Sequence, residues 1–221
     1  MKTLLMPRVF SYSAGLLAIA SFFLGYISFA AASNTQSQTP VILISIDTLR
    51  ADHLGCYGYH PTVTPRLDAL AEEGTRFARI DSQVPLTLPS HTSLLSSTYP
   101  FVNGVEENGD LVPKSLVTLP MVLKSHGYRT AAFIGGYFLA KRFGLNQGFE
   151  VYDSPFGFAS RGPGSAAELK RPAEAVTRDA LRWIQANSSV PFFAFVHLFD
   201  LHRPYELKTR SGSTAGLSGY D

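Results

Sequence analysis

Strand-like and helix-like segments alternate along most of the chain, and that alternation predicts an α/β protein with a mostly parallel central sheet flanked by helices. Two kinds of segment carry the prediction. VILISI (residues 41–46), RTAAFIG (129–135) and PFFAFVHLF (191–199) are short apolar runs that read as strands. The first is continuous and β-branched, which predicts a strand covered on both faces. TPRLDALAEEG (64–74), TLPMVLKSHGY (118–128) and RPAEAVTRDALRWIQA (171–186) carry helical signals instead.

In chain order, the first strand ends at Asp47. The next segment has Thr64 as its N-cap, Pro65 at its first helical position, Leu67, Leu70 and Ala71 on one face, and Gly74 as its stop. TRFARI (75–80) reads as a strand leading into PLTLPSHTSLLSSTYP (85–100), a short helix of small residues. The helix at 118–128 stops at Gly127, and RTAAFIG follows at once as a strand. DSPFGFASRGPGSAAELKRP (153–172) is rich in Gly, Pro, Ser and Ala, breaks the alternation, and reads as a loop or insertion. In the last helix Ala173, Val176, Ala180 and Ile184 recur at helical spacing, and PFFAFVHLF closes the series as a buried strand. There is no internal repeat.

Composition narrows the function classes. The 221 residues are 45% hydrophobic and 16% charged, ordinary for a globular domain with an additional apolar segment. A net charge of +2 with scattered Lys and Arg is no polyanion-binding surface, so nucleic acid is not an expected partner. Cys56 is the single cysteine, which excludes an internal disulfide and a C-x-x-C site; it reads as a small buried hydrophobe. At the N-terminus Lys2 and Arg8 precede an uncharged stretch ending in Ala30, Ala31 and Ala32. Residues 1–32 therefore read as a signal peptide or an N-terminal membrane anchor, followed by a polar linker (33–40) and the domain (41–221). The expected location is extracytoplasmic, with membrane contact only through the N-terminal segment if it is uncleaved.

In open parallel sheets ligands bind beyond the carboxyl ends of the strands. Asp47 ends the first strand, Thr87 stands at the start of a helix, and HLFDLHRPY brings His197, Asp200 and His202 towards the same edge. Thr87 is either a turn hydroxyl or a nucleophile placed where a helix dipole favours negative charge. A strand-end carboxylate, a hydroxyl and a histidine are what metal-assisted attack on an anionic ester requires. The carboxylate holds a cation that lowers the hydroxyl pKa, and the histidine protonates the leaving oxygen.

The segments ISIDTLRADHLGCYGY, TPRLDALAEEGTRF, TLPSHTSLLSSTYP, LKSHGYRTAAFIG, GFEVYD and FFAFVHLFDLHRPY occur in the order and spacing of a known family. From Val41 onward the chain resembles the N-terminal half of the sulfatase family, within the alkaline phosphatase superfamily. The resemblance implies that family's fold and a divalent-metal-dependent hydrolase of sulfate or phosphate esters. It places Asp47 at the first metal-binding aspartate and Thr87 at the nucleophile, also a metal ligand, of the motif C-x-P-S-R. Pro89 and Ser90 are retained there, and His91 stands in place of the arginine. His202 matches the histidine that reaches the leaving group or the transferred anion. Ser90, His91 and Asp200 are the expected substrate-binding residues.

The departures shape the expectation. Thr48 replaces a second aspartate common in the family, which weakens a calcium site and leaves calcium, zinc and manganese as the candidate metals. Threonine cannot form the formylglycine aldehyde of true sulfatases, because oxidising a secondary alcohol gives a ketone; an unmodified alcohol suits phosphoryl transfer. The family's G-K-W-H reads GGYF at 135–138, and Lys141 and Arg142 are the nearby cations. The remaining family ligands lie beyond the PY of HLFDLHRPY, so the chain reads as C-terminally truncated, and as given is expected to be inactive. Two other readings share these residues: a phosphoryl-group transferase acting on envelope lipid or glycan, and a binding module that keeps the fold without the chemistry.

Overall fold

The structure is a computed structural model that describes residues 38–60, 64–157 and 169–203. The expected leader (1–32), part of the linker and most of the Gly/Pro-rich insertion lie outside the described residues. So do Tyr205 and the chain beyond it. Every element belongs to one compact unit beginning at Thr39. Among the described residues no helix is long and apolar enough to cross a membrane.

Four strands form one parallel sheet: β1 (Val41–Ile46), β2 (Arg129–Ile134), β3 (Val151–Asp153) and β4 (Phe192–Leu198), in the order β1-β4-β2-β3. The fourth strand in sequence thus lies between the first and second. Register sets Ser45 of β1 opposite His197 of β4, and His197 opposite Ile134 of β2. The carboxyl ends of three strands therefore finish side by side, two of them presenting polar residues.

Helices cover both faces of β2 and β4. Alternate residues along each strand face opposite ways, so Ala132, Ile134, Phe193 and Phe195 share one core with Leu88 and Leu95 of α2 (Thr87–Ser96). Ala131, Phe133 and Val196 share the other with Val176 and Ala180, and Trp183 packs alongside from the same helix, α5 (Ala173–Ala186). Phe193 and Phe195 are fully buried, which stabilises the sheet by roughly 1.5–3 kcal/mol for each side chain. The remaining helices are α1 (Pro65–Glu73), α3 (Pro100–Asn103) and α4 (Leu119–Ser125). α4 ends as expected at Gly127, whose φ of +86° needs no Cβ; the Tyr128 N–H reaches the Leu123 carbonyl and the Gly127 N–H that of Lys124.

Four expectations are corrected. β1 is not covered on both faces: it is an edge strand among the described residues, and Ile42 and Ile44 are 49% and 57% exposed. TRFARI forms no strand, and Phe77 and Ile80 are exposed, because no described strand lies beside it to accept its backbone. Leu70 projects from α1 into solvent rather than joining an apolar face; Thr64 stands at the N-cap position as expected, its side chain making no capping bond. Thr64 Oγ1 instead accepts the Gly55 N–H and donates to Asp68. Cys56 is only half-buried, on a short 3-10 turn whose backbone bonds Asp68. β3 has only three residues in GFEVYD, too few for a period-2 signal.

Candidate functional site

β1 ends in a tight turn. The Asp47 N–H bonds the Leu198 carbonyl at 2.9 Å, extending the β1–β4 ladder by one residue. Thr48 then adopts φ +59°, a left-handed conformation that costs a β-branched residue on the order of 1–3 kcal/mol. Its hydroxyl donates to the Leu201 carbonyl at 2.7 Å, which ties the turn to the chain leaving β4. The position expected to carry a second metal-binding carboxylate therefore carries a structural hydroxyl.

Next to Asp47, β4 presents His197, a fully buried imidazole inside an otherwise apolar strand. Its Nε2 lies 3.3 Å from Asp47 Oδ2. A carboxylate only accepts, so this nitrogen carries the proton, and Nδ1 is buried without a hydrogen-bond partner among the described residues. Burial pushes the Asp47 carboxyl up, but the bond to His197 and the nearby imidazoles outweigh it and hold the group below the usual carboxylate range.

The third member comes from α2. His91 donates from Nδ1 to the Thr87 carbonyl, one turn earlier, at 2.7 Å. That bond leaves Nε2 as the acceptor, and the Ser45 hydroxyl donates to it at 2.8 Å. The His91 ring stands edge-on to His197 with centroids 4.9 Å apart. Burial and the neighbouring His197 lower its pKa to about 4, against the opposing pull of the Thr87 carbonyl and Asp47, so the ring is neutral at physiological pH. One donor atom from each of Asp47, His91 and His197 lies within 4.8 Å of the other two. These three residues can hold a divalent cation. A hard ion such as calcium takes six to eight oxygens, and this cluster, with two nitrogens and one carboxylate, does not match it.

Thr87 is the first residue of α2, with 6% of its surface exposed. The helix start offers fewer amides to an anion than the sequence suggests. The Leu88 N–H is taken by Asn108 Oδ1 at 2.9 Å, Pro89 has none, and the Ser90 N–H closes on the Leu86 carbonyl. Asn108, which supplies this cap, carries no sequence signal. Ser90 Oγ donates to the Thr87 carbonyl at 3.1 Å, so Ser90 and His91 both clamp the backbone of Thr87.

His202 stacks on Phe199, with centroids 4.3 Å apart and planes 13° from parallel, and donates from Nδ1 to the Arg203 carbonyl at 2.7 Å. The same Phe199 ring lies 5.7 Å from that of His197. Both oxygens of Asp200 accept the Ala173 N–H, at 3.1 and 2.9 Å, which places this carboxylate at the N-terminus of α5. Gly136 stands where the resemblance expects a lysine. A Cβ there would meet Phe199 ring atoms at 2.7 Å, and one on Gly135 would meet the His197 carbonyl oxygen at 2.7 Å. The end of β2 is thus filled by β4 and its extension. Arg142 donates to the Tyr137 hydroxyl at 2.8 Å and lies over the Phe143 ring. Arg171 bonds the Gly135 carbonyl through its backbone, and through its side chain Asp153 and Asp179.

The structure thus brings together Asp47, His91 and His197, with Thr87 linked to them through His91. His197 was the residue least marked as functional in the sequence. Its signal is a lone ionisable side chain in a continuous apolar strand, but its meaning depends on register with β1.

Comparison with known proteins agrees with this architecture. Human arylsulfatase D is 32% identical over 137 residues, 52% of this chain and 23% of that protein. Mouse and rat steryl-sulfatases give shares of 16% and 21% of their own length, so the chain spans roughly a fifth of the curated relatives it matches. Two solved structures share its fold. One, in complex with its substrate D-glucosamine-2-N,6-O-disulfate, has a TM-score of 0.64 at 22% identity and covers 76% of this chain and 35% of that one. The other, the phosphonate monoester hydrolase of Agrobacterium radiobacter, has a TM-score of 0.59 at 21% identity, covering 76% and 41%. The sequence model of the family described as Sulfatase matches residues 39–218, nearly all of the chain beyond its N-terminal segment, and the chain belongs to that family.

Proposed function

We propose that the protein is an extracytoplasmic, metal-dependent hydrolase of sulfate or phosphate esters, with Thr87 as its nucleophile and His202 as the acid that protonates the leaving oxygen. The observation that carries this reading is the convergence of Asp47, His91 and His197 beside the helix that begins at Thr87. Asp47 and the Thr87 hydroxyl are the residues that would engage the metal. Bound there, a divalent ion supplies positive charge that lowers the pKa of the hydroxyl and offsets charge on the transferred group.

The chain's own groups do the rest. The carbonyl of Thr87, gripped by Ser90 and His91, fixes the backbone that carries the nucleophile. Threonine attacks as an alcohol, because its oxidation cannot give an aldehyde, and this favours phosphate esters over the formylglycine route to sulfate esters. On His202, Nδ1 is committed to the Arg203 carbonyl, so Nε2 is the atom that would exchange a proton with the leaving group.

The test is turnover by the full-length protein of nitrophenyl and alkyl esters of sulfate and phosphate, with several divalent metals. Thr87→Ala should abolish turnover with the fold intact, and Thr87→Ser should keep part of it. His202→Ala should slow alkyl esters much more than nitrophenyl esters, whose leaving group needs no proton. Wild-type turnover in Thr87→Ala would remove the nucleophile from the proposal.

A further inference from the structure

We infer that a hollow at the C-terminal end of α2 binds a neutral pyranose unit of a glycan. It is separate from the site that begins at Thr87, because Ser97 stands about 15 Å further along the helix at 1.5 Å per residue. The hollow encloses about 330 Å³ and is lined by Gln83, Ser93, Leu94, Ser97, Thr98 and Tyr99. Three observations support the inference, and none of them rests on the hydrolase reading.

The first is a buried hydroxyl. Ser90, Thr92 and Ser96 each donate back to a carbonyl of α2, a common outlet for a hydroxyl inside a helix. Ser93 does not. Only 5% of its surface is exposed, and its Oγ has no hydrogen-bond partner among the described residues. Leaving such a group unsatisfied costs about 1–3 kcal/mol. A ligand hydroxyl entering the hollow gives it a partner.

The second is the frame around that hydroxyl. The Ser96 hydroxyl donates to the Thr92 carbonyl, so Thr98 Oγ1 is the donor in its bond to Ser96, and it accepts from Asn103 Nδ2 at 3.1 Å. Thr98 is thus committed to holding the turn that follows α2. Ser97, whose N–H closes on the Ser93 carbonyl, and Gln83 make no side-chain hydrogen bond among the described residues. Gln83, Ser93 and Ser97 therefore offer one amide and two hydroxyls, groups that both donate and accept.

The third is charge and shape. None of the lining residues is charged, and the C-terminal end of a helix carries the negative end of its dipole, which disfavours sulfate and phosphate. Without a carboxylate the hollow does not suit a cation either. Tyr99 forms one wall and is 59% exposed, and Phe101 stacks on it with centroids 5.4 Å apart and planes 8° from parallel. An aromatic ring steadied in this way, beside hydroxyl and amide groups, suits a molecule with an apolar C–H face and a rim of hydroxyls. A neutral pyranose has both.

The experiment is a calorimetric titration of the full-length protein with cellohexaose and, separately, with chitohexaose, both uncharged. At least one should bind, and sodium sulfate should not displace it. Tyr99→Leu, which keeps bulk but removes the flat ring, should weaken binding about tenfold. Ser93→Ala should weaken it about fivefold, the worth of one hydrogen bond. Phe77→Ala, at an exposed aromatic elsewhere on the molecule, should change nothing. Because Ser93→Ala deletes an unsatisfied hydroxyl, its melting temperature should not fall, so weaker binding in that variant is not a sign of unfolding. Failure of both sugars to bind, undiminished affinity in either Tyr99→Leu or Ser93→Ala, or displacement by sulfate would overturn the inference, whatever the ester activity.

Discussion

Ile44 and Val196 are register partners on adjacent strands, yet Val196 is 6% exposed and Ile44 57%. Both are β-branched and apolar, and both point to the same face of the sheet. The difference lies above them: α5 packs Val176 and Ala180 over β2 and β4, with Trp183 partly buried alongside, and Ile44 is not part of that cluster. Burial is therefore a property of what the topology lays over a strand, and apolar sequence alone does not report it. The same contrast separates Phe195, fully buried, from Phe77, 61% exposed in the segment that reads as a strand and is none.

Substitutions can break or sharpen this contrast. Phe195→Ala opens a cavity between α2 and the sheet and should cost roughly 3–5 kcal/mol by urea denaturation, whereas Phe77→Ala should stay within about 0.5 kcal/mol. Comparable losses at the two sites would mean that Phe77 is covered in solution. Val196→Ala removes two methyl groups under α5 and should cost about 2 kcal/mol. Ile44→Ala should cost less than about 0.5 kcal/mol. A large loss at Ile44 would show that further polypeptide covers the outer face of β1.

A third prediction uses the charge cluster that anchors α5. Desolvation opposes ionisation of Asp179, but its bond to Arg178 and the charges of Arg178 and Arg171 prevail and hold its carboxyl below the usual range. Its folded pKa is depressed, so the stability it contributes is present above the unfolded value of about 4 and is lost as pH falls through the folded value. Asp179→Asn should flatten the dependence of the melting temperature on pH below about 4. An unchanged acid limb would assign the acid sensitivity to other carboxylates. The smallest effect is expected for Ile44→Lys, which should leave the melting temperature nearly unaltered while reducing light scattering in concentrated solution, because a lysine on an exposed edge strand discourages strand pairing between molecules.

Much of the fold was legible because its signals are local. β2, β4 and α5 announce themselves as apolar runs or as residues at helical spacing, and Gly127 closes α4 by its own conformational freedom. TRFARI carries the same local signal as a strand, and only the absence of a described neighbour distinguishes it. The candidate site divides in the same way. Asp47 and Thr87 stand at element ends that the sequence marks, whereas His197 gains its significance from a register set between strands far apart in the chain. The positions of Ser90 and Asp200 were legible, but their present partners were not. Side-chain bonds to a backbone carbonyl three residues back, or to an amide 27 residues earlier, leave no trace in composition or periodicity.

The long stretch of chain between β1 and β4 has a consequence for biosynthesis. β1 pairs only with β4 among the described strands, and Asp47 meets His197 across a separation of 150 residues. Translation at about 5–20 residues per second leaves roughly 8–30 s between their emergence from the ribosome. Through that interval VILISI is an unpartnered hydrophobic segment and must be held apart from other nascent chains. Pairing across so long a separation is slow, so Asp47 and His197 meet only after the loop between β1 and β4 has closed. Until β4 emerges, the strand-end carboxylate of Asp47 lacks its bond to His197.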